Sequence, residues 1–154
     1  MTKKTKILTL AILTLLLGGC AKKDAAAIAE AERDKQFQQM MTGAVMIGYS
    51  TRDNKGTLSK EERYAIDKAS RLAGDTWLLQ SRMNLGDRDV PIPAPVTIKW
   101  AGDTPVITVT DMGIPGMGST YTARILLYRD RYAGYWSNSK GGGGTMFGRI
   151  ERPR

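Results

Sequence analysis

The chain has 154 residues, 42% hydrophobic and 25% charged, with net charge +8, one cysteine and no histidine. Lacking histidine, it has no usual ligand set for zinc, copper or haem, and no Ser-His-Asp, Cys-His or other histidine-based catalysis. A single cysteine also rules out an intrachain disulfide.

The first segment carries Lys3, Lys4 and Lys6, then an apolar run of 11 residues from Ile7 to Leu17, then Gly18-Gly19-Cys20. The run is shorter than the roughly 20 residues that cross a bilayer and fits the ~7–15-residue apolar region of a secretory signal. The order of basic, apolar, small and cysteine residues resembles the signal peptide and lipobox of bacterial lipoproteins. That resemblance implies cleavage before Cys20, with covalent lipid on its thiol and no other cofactor. It also implies two or three lipid chains, which anchor firmly where one would not. Ala21, where aspartate would favour inner-membrane retention, implies an outer-membrane protein facing the periplasm in a host with two membranes. The division expected is 1–19 signal peptide, 20–42 tether and 43–154 a β domain.

From Cys20 onward there are 135 residues, enough for one domain with its own core. Ala21 to Gln39 is rich in alanine and charge, with Ile28 and Phe37 its only sizeable apolar residues. Alanine favours helix, so the segment reads as a partly helical tether with little to bury.

Beyond Gly43 the texture changes to short alternating segments between turn residues, which predicts an all-β domain. The expected strands are 45–49, 62–66, 76–83, 96–100, 106–110, 120–128, 132–136 and 145–150. Val90 to Pro95 carries a proline at every second position from Pro91 to Pro95, which predicts an extended edge or bend with incomplete pairing. Ala-Gly-Asp-Thr occurs at 73–76 and again at 101–104, and reads as one hairpin turn used twice. Leu85-Gly86-Asp87 marks a further turn. Eight strands at hairpin spacing imply an antiparallel meander. A small closed barrel is favoured, with a two-sheet sandwich as the alternative.

Alternation assigns faces. Trp77, Leu79, Ser81 and Met83 share one; so do Val96, Ile98 and Trp100; Tyr121, Ala123, Ile125 and Leu127; and Met146, Gly148 and Ile150. These faces lack charge and are expected to point inward. An uncharged interior suits an apolar ligand, but side chains filling it themselves is the favoured expectation. If a ligand is held, Trp77, Trp100, Tyr121 and Trp136 are its candidate contacts.

Losing Lys3, Lys4 and Lys6 takes the charge from +8 to +5. Residues 120–154 alone carry +5, from seven basic side chains against Asp130 and Glu151. Arg124, Arg131, Arg149, Arg152 and Arg154 therefore form a candidate basic surface toward anionic lipid or lipopolysaccharide. Nucleic acid is not an expected partner in an exported compartment.

No catalytic or metal motif is complete in the sequence. Gly141 to Gly144 has no Gly-Lys-Ser/Thr after it and reads as a hairpin loop. Gly113 to Gly118 lacks dinucleotide spacing. Asp103 and Asp111 are a candidate carboxylate pair for glycoside hydrolysis, though aspartates beside glycine in hairpins normally form turns. Asp53-Asn54-Lys55-Gly56 lacks the later acids of a calcium loop.

Trp100 to Ile107, Arg131 to Trp136 and Gly144 to Ile150 together look like uncharacterised bacterial secreted proteins with a lipocalin-like β-fold. The resemblance covers about residues 43–151 and implies a fold more than an activity. The functional expectation is a membrane-anchored, non-catalytic binding module for a small apolar ligand or an envelope partner. The alternative is an envelope-structural role for the basic surface.

Overall fold

A computed structural model describes residues 5–53, 55–85 and 88–152, with side chains for 22–53, 55–84 and 89–152. One helix, α1 (Thr5–Met41), precedes eight strands: β1 (Ala44–Ser50), β2 (Glu62–Ala73), β3 (Thr76–Leu85), β4 (Arg88–Ala101), β5 (Thr104–Gly113), β6 (Thr120–Tyr128), β7 (Arg131–Asn138) and β8 (Gly143–Glu151). Consecutive strands pair antiparallel, and β8 returns to β1 from Val45↔Glu151 to Ser50↔Met146. The meander is a closed barrel, and the sandwich alternative is set aside.

The chain divides into two compact units, 1–36 and 37–154. In the first, the side chains of residues 22–32 are exposed, as the alanine-rich composition predicts. Among the described residues no helix is long and apolar enough to cross a membrane, a statement that leaves strands aside. The Cys20 backbone lies within α1, and its side chain falls outside the described set, as do Gly86, Asp87 and Arg154.

Both Ala-Gly-Asp-Thr strings form the same two-residue hairpin. Ala73 pairs with Thr76 and Ala101 with Thr104, while Gly74 and Gly102 take φ of 51° and 67°. Only glycine adopts that conformation without strain, and it matches the strand twist.

The proline segment is a strand, and its pairing is one-sided. Pro91, Pro93 and Pro95 sit opposite Arg82, Gln80 and Leu78 of β3, but β4 pairs with β5 only from Thr97 to Ala101. The reason is parity. In an antiparallel strand, alternate residues direct both backbone groups to the same neighbour. The Ile98 N–H donates to the Asp75 carbonyl on the β3 side. Even-numbered residues of β4 therefore serve β3 and odd-numbered ones serve β5. All three prolines are odd, so the missing donors are those β5 would have needed. The β4–β5 ladder stops where the first of them, Pro95, replaces a donor.

The inward faces are those read from alternation: Trp77, Leu79, Val96, Ile98, Ile125, Leu127, Met146 and Ile150 are all buried. The core also takes in Phe37 and Met41, at 1% and 0% exposure, from the stretch read as tether. The compact unit begins six residues before the Gly43 texture boundary. Phe37 meets Trp77 edge-on at 4.9 Å and Trp100 at 6.3 Å. These rings fill the end of the barrel where β1 begins and β8 ends.

A close approach marks the seam where β8 meets β1. A Cβ on Gly148 would lie 2.7 Å from Tyr132 Cε1 and 2.7 Å from Gly48 Cα. The paired glycines leave room for the Tyr132 ring against the wall.

Phe37→Ala should cost about 3–5 kcal/mol, the usual penalty for emptying a buried aromatic site. Exposed Ile28→Ala should stay within about 0.5 kcal/mol. Chemical denaturation of the two variants checks this; equal small losses would mean that Phe37 does not seal the barrel.

Candidate functional site

Above its aromatic floor the barrel is hollow. A cavity of about 740 Å³ opens at the end where β1 finishes and β2 begins. That volume falls within the ~300–1,000 Å³ of small-molecule sites. The expectation that side chains would fill the interior holds for the floor and is corrected for the upper half. Small residues cause the difference. At this level Ser81, Ala94 and Ala123 point inward from β3, β4 and β6, where the floor has Trp77, Ile98 and Leu127.

The wall is apolar and adaptable. Met46, Met83, Met112, Met117 and Met146 line it, with Ile92 and Val109 between them. Methionine is unbranched and polarisable, so such a wall accommodates more than one ligand shape.

Within the strands the expected uncharged lining holds except at Glu62, at the start of β2; the other charges that line the cavity, Arg52, Lys55 and Lys60, come from the β1–β2 connection. The two Glu62 carboxylate oxygens accept hydrogen bonds from Ser50 Oγ and the Tyr64 hydroxyl, both at 2.8 Å. Burial, then the Glu62 charge, pushes the Tyr64 hydroxyl pKa well above its ordinary value of 10. The same two causes push Tyr132 up to about 12.

The structure separates the four predicted aromatic contacts into two pairs. Tyr121 and Trp136 line the cavity, with ring centroids 6.5 Å apart. Trp77 and Trp100 belong to the floor, packed on Phe37, and do not line the cavity. The Trp136 indole N–H is buried with no hydrogen-bond partner among the described residues.

The rim comes from the connections between strands. Residues 51–61, between β1 and β2, contribute Arg52, Lys55, Leu58 and Lys60. Thr51 and Asp53 donate backbone N–H groups to Thr145 and Gly143, and Ser59 donates to Ser50. A bridge joins Thr51 to Leu58. The β7–β8 loop is organised by Asn138, whose Oδ1 accepts from the backbone of Lys140 and Gly142. Its glycine run serves a close approach: a Cβ on Gly144 would lie 2.0 Å from the Thr51 carbonyl oxygen. Gly113 to Ser119 supplies Ile114 and Met117 beside the unpaired margin of β4.

The predicted basic surface is largely committed to the barrel's own groups. The Arg124 guanidinium hydrogen-bonds the Val109 and Ala123 carbonyls and Thr110 Oγ1, beside the bulge at Asp111. Arg149 pairs with Glu151 at 2.8 Å and Arg131 lies 3.9 Å from Asp130. Arg152 is exposed.

Asp103 and Asp111 cannot act together. Asp103 sits in the turn before β5 and Asp111 near the strand's far end, about 25 Å apart at the strand rise per residue. Paired glycosidase carboxylates sit within ~10 Å. Asp53 accepts a hydrogen bond from the Tyr135 hydroxyl, and no cluster of metal-ligating side chains occurs among the described residues.

No protein-family model, curated protein or solved structure matches this chain.

With no histidine in the chain, stability should be flat between about pH 6 and 9. Tyr64 and Tyr132 hold their protons more tightly folded than unfolded. Their contribution is complete below the unfolded value near 10 and is lost as pH rises toward the folded one. Thermal melts from pH 8 to 12 should fall above about pH 10, and Tyr132→Phe should move that fall upward. An unmoved profile would show that the Tyr132 hydroxyl does not govern alkaline unfolding.

Proposed function

We propose that this chain is a non-catalytic binding module that carries a small apolar molecule in its barrel, held at a membrane face by lipid on Cys20. The observation that carries the reading is the methionine-lined cavity, closed at one end by aromatic rings and open at the other. Burying apolar surface supplies the affinity, about 25 cal/mol per Å² before the costs of association. Tyr121 and Trp136 are the aromatic contacts, and the indole N–H of Trp136 is a spare donor beside the mouth. The lipobox supports the anchor, because it ends in the chain's sole thiol. Outer-membrane attachment facing the periplasm remains the matching localisation in a two-membrane host.

The neutral apolar probe N-phenyl-1-naphthylamine tests the cavity. Its fluorescence should rise on binding the full chain. Ala123→Trp, which puts an indole into the hollow level, should abolish that rise while leaving the fold intact by circular dichroism. No enhancement with the unaltered chain, or an undiminished one in the variant, sinks the proposal. The anchor is checked separately by labelling growing cells with an alkyne fatty acid, which should mark the protein and fail to mark Cys20→Ser.

A further inference from the structure

We infer that the ligand is a single-chain amphiphile with an anionic head, its tail in the barrel and its head at the rim. The inference rests on the cavity reading above and goes further by assigning the ligand's charge and orientation. Three cations, Arg52, Lys55 and Lys60, line the mouth, against one carboxylate, Glu62. Among the described residues none of the three takes part in an ion pair or side-chain hydrogen bond, whereas Arg63, Arg82, Lys99 and Arg149 all do. Lys140, in the β7–β8 loop, does not line the cavity and instead approaches the β5–β6 loop, its Nζ 3.5 Å from where a Cβ on Gly118 would sit.

The cations are placed by structure. Their segment is fastened at Thr51, Asp53 and Ser59, so the charges stay over the opening. Leu58, between them, is 57% exposed, an apolar group where head meets tail. Nearby acids are already engaged. Asp53 accepts from Tyr135, and both oxygens of Glu62 are taken by Ser50 and Tyr64. An anionic head therefore finds cations at the rim, whereas the strands that line the interior offer it no cation. The head stays out and the chain goes in.

Four probes sharing a twelve-carbon chain decide the matter: dodecanoate, dodecyl phosphate, dodecanol and dodecyltrimethylammonium, each titrated calorimetrically into the detergent-free full chain below its micelle threshold. Both anions should bind about ten-fold tighter than dodecanol, the sum expected of three exposed charge contacts. The tighter anion identifies the head group. Dodecyltrimethylammonium should bind most weakly. Shortening the carboxylate should weaken binding about four-fold per methylene. The triple variant R52Q/K55Q/K60Q should lose the anion preference and keep dodecanol binding, which also reports that the barrel is folded.

Equal binding of dodecanoate and dodecanol overturns the head-group assignment and leaves the apolar carrier standing. Tighter binding of the cationic probe overturns it in favour of Glu62. Failure of every probe overturns both readings. An unaltered anion preference in the triple variant removes the rim cations from the argument.

Discussion

The contact of Phe37 with Trp77 is the interaction on which the rest of this structure depends. An eight-strand barrel has two open ends and an interior that side chains can just fill. Edge-on packing at 4.9 Å, backed by Trp100, closes one of those ends. The other end is then free to be lined by alanine, serine and methionine. Large rings below and small or flexible residues above divide one continuous core into a solid half and a hollow half.

A second constraint lies in the backbone. Prolines on the odd positions of β4 satisfy the ladder with β3 and end the ladder with β5. The barrel is thereby closed at its base and relaxed at its mouth along this seam. The edge left there carries carbonyls but no N–H at the three prolines, so it is a poor template for another strand. Ile114 and Met117 reach the cavity from the adjoining glycine-rich loop.

Much of the fold was legible in residue order. Period-two alternation assigned the inward faces of β3, β6 and β8 correctly, because a closed barrel buries one face of every strand. The hairpins at Gly74 and Gly102 were legible from local chemistry. Phe37 was not. A single aromatic in an alanine-rich helix has no periodic partner, and its burial needs a floor made by strands up to 63 residues away. Trp77 and Trp100 shared the same limit: alternation says inward, and only height along the barrel distinguishes floor from cavity.

The sequence by itself determined an all-β domain, its strand faces, its reused turns and the absence of histidine chemistry. It also carried the lipobox pattern that motivates the proposed anchor. Tertiary structure decided where charge collects. Counted along the chain, the positive excess belongs to residues 120–154. Folded, Arg124, Arg131 and Arg149 meet carbonyls or neighbouring acids, whereas Arg52, Lys55 and Lys60 gather at the mouth with no ion pair among the described residues. The physical reason is that net charge adds along a sequence, whereas an electrostatic site depends on which charges are paired and which face the same opening.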